Sequence, residues 1–339
     1  MSAPSRRELL KTMIAAPIAA AARPALAASD ARKPMRGVFI ILNTPFTSTG
    51  EVDWDDLQRE VAFVDRGGCA GVVWPQGSSG VTTLTKEERL HGMEVLANAT
   101  KAARVTLVLG VQGRDTAEML EYTRRAAALS SDAVIAMPPT TGTSMEDYRA
   151  YFRALAQAFR GPIFVQTSGG AKNLFPSPEL IVELAREFPH MAYVKEESDP
   201  LIARMRAELA ARPVLKGIFG ASLGTGFLYE MRLGLDGVVT GMGMYADLFG
   251  RMWQMHEAGR HDDVRDAYAR FLLMRNLNES IPGTDLYVMK MRGVFKTTVR
   301  RTAAPAPGRA PALTEFIPRP DEREEIEFRF AALKPYLTL

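Results

Sequence analysis

Residues 37–74 read GVFIILNTPFTSTGEVDWDDLQREVAFVDRGGCAGVVW. An apolar run follows Gly37, a loop rich in Thr, Pro and Gly comes next, an amphipathic stretch covers residues 54–64, and glycines introduce a second apolar run at Gly71. A short, continuously apolar run suits a strand buried on both faces, whereas apolar residues at three- and four-residue spacing form one face of a helix. The stretch is therefore one strand–helix unit and the start of the next. Further apolar runs begin near Val105, Ala133, Ile163, Met191, Val214 and Gly237, and helical periodicity covers residues 116–129, 145–159 and 178–188. Eight strand–helix units without a long interruption predict an α/β fold of the closed (β/α)₈ TIM-barrel type rather than an open doubly wound sheet. The barrel is assigned to residues 35–339 with additional C-terminal helices, the last over residues 321–333. Residues 301–311, rich in Ala and Pro, read as an extended connector.

The chain has 339 residues, 47% hydrophobic and 24% charged, which excludes disordered, collagenous and coiled-coil classes. Its single cysteine, Cys69, excludes an intrachain disulfide and reads as a small buried apolar residue. Ahead of the barrel, Ser5-Arg6-Arg7-Glu8-Leu9-Leu10-Lys11 precedes an apolar run over residues 13–22 and the tripeptide Ala25-Leu26-Ala27. A charged region, an apolar region and an A-x-A site in that order predict an export signal over residues 1–27 of the twin-arginine type, and hence a periplasmic protein. The apolar run is too short to be a stable membrane span, and no other segment qualifies. Without residues 1–27 the chain carries 38 basic and 38 acidic residues. With no dense basic patch, nucleic acid is not expected as a partner.

In a TIM barrel the chemistry sits where strands end at the C-terminal face. Lys195 closes Met191-Ala192-Tyr193-Val194-Lys195 and so stands at the end of the sixth strand. An amine held in an apolar surround is neutral and nucleophilic toward a carbonyl carbon; the alternative is a strand-end salt bridge to Glu196 or Glu197. Gly77-Ser78-Ser79-Gly80, after the second strand, offers two hydroxyls and backbone N–H groups to a small carboxylate, or is an ordinary turn. After the seventh strand, the stretch from Gly220 to Gly224 matches G-x-S-x-G, but no histidine and acid complete a triad. Gly220 there serves either close packing or room for substrate. The four histidines are scattered, so no metal is expected, and no G-x-G-x-x-G follows the first strand, so no dinucleotide cofactor is expected either.

Together with Asn43-Thr44-Pro45-Phe46, Leu84-Thr85-Lys86-Glu87-Glu88-Arg89, Met137-Pro138-Pro139, Val194-Lys195-Glu196 and Leu233-Gly234-Leu235-Asp236-Gly237, these motifs give the chain its likeness. It resembles the dihydrodipicolinate synthase and N-acetylneuraminate lyase family, class I aldolases on a (β/α)₈ barrel. The resemblance implies that Lys195 forms an imine with pyruvate or a related 2-keto acid, that Ser78 and Ser79 hold the carboxylate, and that no cofactor is needed. A small-molecule keto acid would be its partner, and a dimer or tetramer its assembly. The chain departs from the family pattern where Pro138-Pro139-Thr140-Thr141 replaces the tyrosine motif after the fourth strand. It departs again at Gln166-Thr167-Ser168 after the fifth strand, and at Tyr193 and Glu197 beside the lysine. Thr140, Thr141 or Thr167, acting through water, would then handle protons, a weaker arrangement than a phenol. Three functions remain open: a lyase or aldolase acting on a 2-keto acid or keto-sugar acid, a keto-acid-binding barrel with impaired catalysis, and a hydratase-type reaction through the same imine.

Overall fold

The computed structural model describes residues 33, 35–305 and 311–339. The signal read at residues 1–27 lies outside the described residues. Eight parallel strands close into a barrel: β1 Gly37–Ile41, β2 Gly71–Trp74, β3 Thr106–Gly110, β4 Ala133–Ala136, β5 Ile163–Gln166, β6 Tyr193–Lys195, β7 Gly217–Gly220 and β8 Gly237–Thr240. Closure is made by β1 against β8, with Gly37 opposite Gly237. A Cβ on Gly237 would lie 1.9 Å from the Gly37 carbonyl oxygen, so the seam admits only glycine there.

The first eight helices follow their strands: α1 Trp54–Arg66, α2 Lys86–Ala99, α3 Thr116–Ala128, α4 Met145–Ala158, α5 Pro178–Glu187, α6 Leu201–Ala210, α7 Phe227–Leu233 and α8 Ala246–Glu257. Residues that bind free backbone N–H groups start five of them. Asp53, Asp115, Ser144 and Ser177 accept from the third helical N–H of α1, α3, α4 and α5, and Thr85 forms a reciprocal pair with Glu88 on α2. Each cap contributes about 1 kcal/mol. Three more helices follow: α9 His261–Ser280, α10 Thr284–Met291 and α11 Pro320–Ala331.

Side chains on a strand alternate between the two faces. Phe39, Val73, Val108, Ile135, Phe164, Phe219 and Val239 fill the barrel interior, while their neighbours pack against the helices. Phe39 meets Phe219 edge-on at 5.4 Å between ring centres, and Tyr193 stacks on Phe164 at 5.2 Å. This aromatic layer is the floor of the barrel mouth. Tyr193, read from sequence only as a departure beside the lysine, is thus a floor residue.

The Ala/Pro-rich stretch is flanked by two short antiparallel strands, β9 Val299–Arg301 and β10 Leu313–Glu315. Arg301 anchors them: its guanidinium pairs with Glu88 at 2.7 and 2.8 Å and donates to the Gly50 carbonyl at 2.6 Å. Composition reveals the connector but not an ion pair more than two hundred residues away in the chain.

Candidate active site

The period of two that builds the floor also builds what lies above it. Two residues beyond Phe164 comes Gln166, and two beyond that Ser168; beyond Tyr193 come Lys195 and then Glu197. All four line one cavity of about 390 Å³ at the C-terminal mouth, with Ile41, Met137, Ala221 and Val239 as its apolar wall. Gly77 and Ser78 from the loop after β2 and Thr240 at the end of β8 complete its polar side. Gly241 makes room for that loop: a Cβ there would lie 2.4 Å from the Ser78 side chain.

Lys195 is buried, its side chain 5% exposed, yet its surround is polar. Nζ donates to Oε1 of Glu197 at 2.9 Å. The same oxygen accepts from Gln166 Nε2 at 2.7 Å and from the Ser168 hydroxyl, and Gln166 Nε2 also donates to Ser168 Oγ at 3.1 Å. Three donors therefore converge on one carboxylate oxygen that faces the cavity. The amine is therefore not held among apolar groups alone, and the salt bridge left open between Glu196 and Glu197 is made by Glu197.

Glu196 points the other way. Fully buried, it accepts from the Thr167 hydroxyl at 2.7 Å, from the Ser198 N–H at 2.7 Å and from Arg204 Nε at 2.9 Å. Thr167 is consumed by this outer cluster and does not reach the cavity, so it is not placed to move protons for Lys195. Burial and the neighbouring Glu196 carboxylate push the Glu208 carboxyl well above its ordinary value.

The other predicted residues separate. Ser78 faces Lys195 across the cavity, but Ser79 is buried, its hydroxyl accepting from the Gln76 N–H at 3.1 Å and its carbonyl from the Thr44 hydroxyl at 2.7 Å. Ser79 shapes the turn instead and lines only an adjoining cavity of about 360 Å³. That space shares Gly77, Ser78, Leu223 and Gly241 with the first and extends to Asn43, Asp285 and Arg300. Thr140 is exposed at the rim of a different cavity, with Val81, Arg89 and Pro138, and Thr141 donates to the Arg114 carbonyl at 2.9 Å. Neither threonine meets Lys195.

Gly220 is also corrected. A Cβ at Gly220 would lie 1.9 Å from a carboxylate oxygen of Glu230, and one at Gly226 2.2 Å from the other. The glycine admits a buried acid from α7, not a substrate; burial pushes that carboxyl up to about 8. Beside it, Ser222 and Leu223 both adopt positive φ, 50° and 52°, a strained pair that turns Leu223 into the cavity wall. No sequence motif marks Gln166 and Ser168 as site residues, although counting in steps of two from the inward-facing Phe164 selects them.

Comparison with known proteins identifies the family and the fold. The chain is 29% identical over 232 residues to a 4-hydroxy-tetrahydrodipicolinate synthase of Stenotrophomonas maltophilia, covering 67% of this chain and 76% of the relative. It is 27% identical over 244 residues to an L-2-keto-3-deoxyarabonate dehydratase of Azospirillum brasilense, covering 70% and 76%. The crystal structure of a dihydrodipicolinate synthase from Rhodopseudomonas palustris shares the fold with a TM-score of 0.74 at 21% identity, over 88% of this chain and 97% of that one. Residues 34–307 match the dihydrodipicolinate synthetase family. The chain belongs to that family, whose members are Schiff-base-forming, aldolase-type lyases.

Proposed function

We propose that Lys195 forms the imine with a 2-keto acid and that the chain makes or breaks a C–C bond beside it. The observation that carries this is the position of Nζ, on the inner face at the barrel mouth and opposite Ser78 in one cavity. The Ser78 hydroxyl seats the carboxylate. The protonated imine withdraws electrons from the adjacent carbon, which then adds to, or is released from, the second carbon fragment. The adjoining polar space toward Asn43 and Arg300 supports a substrate longer than pyruvate, such as a keto-sugar acid.

Borohydride reduction in the presence of pyruvate, followed by peptide mass spectrometry, tests the imine. The expected result is a reduced adduct on the Lys195 peptide, lost in Lys195→Ala while the circular dichroism spectrum is retained. If pyruvate and bulkier keto acids bind saturably but leave no adduct and undergo no turnover, the protein is a keto-acid-binding barrel instead. A second reading, elimination of water through the same imine, is favoured by the carboxylate against Nζ and by the relative named as a dehydratase. Product mass separates the two: cleavage yields two fragments, elimination one product lighter by a water.

The arginine pair and apolar run over residues 1–27 support export to the periplasm. Replacing Arg6 and Arg7 by lysine should retain the protein in the cytoplasmic fraction. A homodimer or homotetramer is the expected assembly, read by light scattering. No helix of the described residues is long and apolar enough to cross a membrane.

A further inference from the structure

An ammonium cannot attack a keto carbon, so Lys195 needs a group that removes a proton and later returns one. Among the described residues lining the cavity, Glu197 is the one carboxyl, and it touches Nζ at 2.9 Å. Ser78, Ser168 and Thr240 offer only hydroxyls, which are poor proton acceptors. Glu196, the neighbouring carboxylate, is spent on Thr167, Ser198 and Arg204 outside the barrel. Glu197 is also aimed: Gln166 and Ser168 donate to the same oxygen that meets Nζ, so its carboxylate faces the point where a keto carbon would bond.

We propose that Glu197 is the catalytic acid–base of this site, with Gln166 and Ser168 as its positioning residues; the proposal rests on the imine reading of Lys195. The carboxylate takes one proton from the ammonium. The freed lone pair bonds the keto carbon, and the carbonyl π electrons move to oxygen. A second proton then passes from nitrogen to that oxygen, giving a carbinolamine. The protonated Glu197 carboxyl gives its proton to the carbinolamine hydroxyl, the C–O bond breaks, water leaves, and the nitrogen lone pair closes the C=N bond. Ammonium and ketone have become a protonated imine and water, and Glu197 is again a carboxylate. In that form it accepts a proton from the carbon next to the imine carbon. The C–H electron pair becomes the C=C bond of the enamine, and the C=N π electrons return to nitrogen. Run backward with a solvent deuteron, the same step exchanges hydrogen at that carbon.

The test therefore needs no second substrate. Pyruvate is incubated with the full-length protein in deuterated buffer, loss of the methyl proton signal is followed by NMR, and borohydride trapping is run in parallel. Wild type is expected to exchange the methyl protons and to give the Lys195 adduct. Glu197→Gln should keep the adduct after long incubation while exchange falls about 10²- to 10⁴-fold, the usual weight of a positioned acid–base. Glu197→Ala opens space at the same point, and added formate should restore a measurable part of its exchange. A residue that merely holds Lys195 in place would not respond to formate.

Adduct formation with exchange in Glu197→Gln equal to wild type overturns the role of Glu197 and leaves the imine standing. Loss of exchange without recovery by formate, or a wild-type adduct with no methyl exchange, overturns it too. Absence of any wild-type adduct removes the imine reading and this proposal together.

Discussion

Glu196 and Glu197 are adjacent carboxylates at the end of one strand, yet they belong to different regions of the molecule. Glu196 faces the helices, is wholly shut from solvent and is held by Arg204, Thr167 and Ser198. Glu197 faces the barrel mouth, where it meets Lys195 on a cavity wide enough for a substrate. The outer cluster satisfies its charge from within; the inner one leaves a proton-accepting oxygen next to an amine. Strand alternation alone separates a structural acid from one positioned for chemistry.

The largest stability effect that would sharpen this contrast lies on the outer side. Glu196→Ala strands the Arg204 guanidinium, itself only 11% exposed, without its carboxylate. Breaking a buried pair costs roughly 3–5 kcal/mol. The lower end of that range is expected, because removing Glu196 removes one of the groups that raise the Glu208 carboxyl, which then ionises more readily and partly replaces the lost charge. The urea midpoint should fall with an unchanged slope. The folded fraction should still give the Lys195 adduct. Glu197→Gln reverses the order, losing hydrogen exchange first and stability second, since its partner amine borders a cavity that water can enter. Equal stability losses in the two variants, with exchange intact in both, would erase the distinction.

What the sequence makes legible follows from this alternation. The eight apolar runs and the helices between them are visible because a parallel barrel is buried on both faces, so hydrophobicity alone marks its strands. Lys195 is visible for the same reason, as a charge closing an apolar run. Gln166 and Ser168 are hidden behind a family pattern they do not match, although they stand on the same inward register as Phe164. In the sequence, Thr167, Ser79 and Gly220 stand out only by residue type and loop position. Type does not reveal that a hydroxyl is consumed by Glu196, that another closes a turn, or that a glycine accommodates Glu230. Each of these depends on a contact between segments distant in sequence. Arg301, pinned to Glu88, is concealed by the Ala/Pro composition that follows it for the same reason.

Glu230 supplies a pH test of the idea that the outer shell is structural. Its carboxyl is buried with burial as the cause of a value near 8, against an ordinary 4.5. The folded protein holds a proton that the unfolded chain has already released, so the contribution of this group to stability is greatest below pH about 4.5 and declines as pH rises toward about 8. Glu230→Gln removes the titrating proton. Its stability should match wild type near pH 5 and exceed it by a few kcal/mol at pH 8 in denaturant titrations, while pyruvate trapping at Lys195 is unchanged at both. A pH-dependent loss of trapping in this variant would tie Glu230 to the cavity.

Gly220 gives the smallest effect and the sharpest separation between packing and substrate room. Gly220→Ala sets a methyl against the Glu230 carboxylate, and overpacking of this kind costs about 1–3 kcal/mol. If the glycine instead left room for substrate, the same change would raise KM for pyruvate or weaken its binding with little loss of stability. A double-mutant cycle decides between them. Glu230→Ala removes the group the new methyl strikes, so Gly220→Ala should cost much less in that background than in wild type, giving a coupling energy in the ~0.5–3 kcal/mol range of residues in contact. Additive losses with weakened pyruvate binding in both backgrounds would return Gly220 to the substrate side of the strand. Strong coupling with unchanged binding would leave Lys195, Glu197, Ser78 and the Gln166–Ser168 pair as the polar groups of the mouth on which chemistry depends.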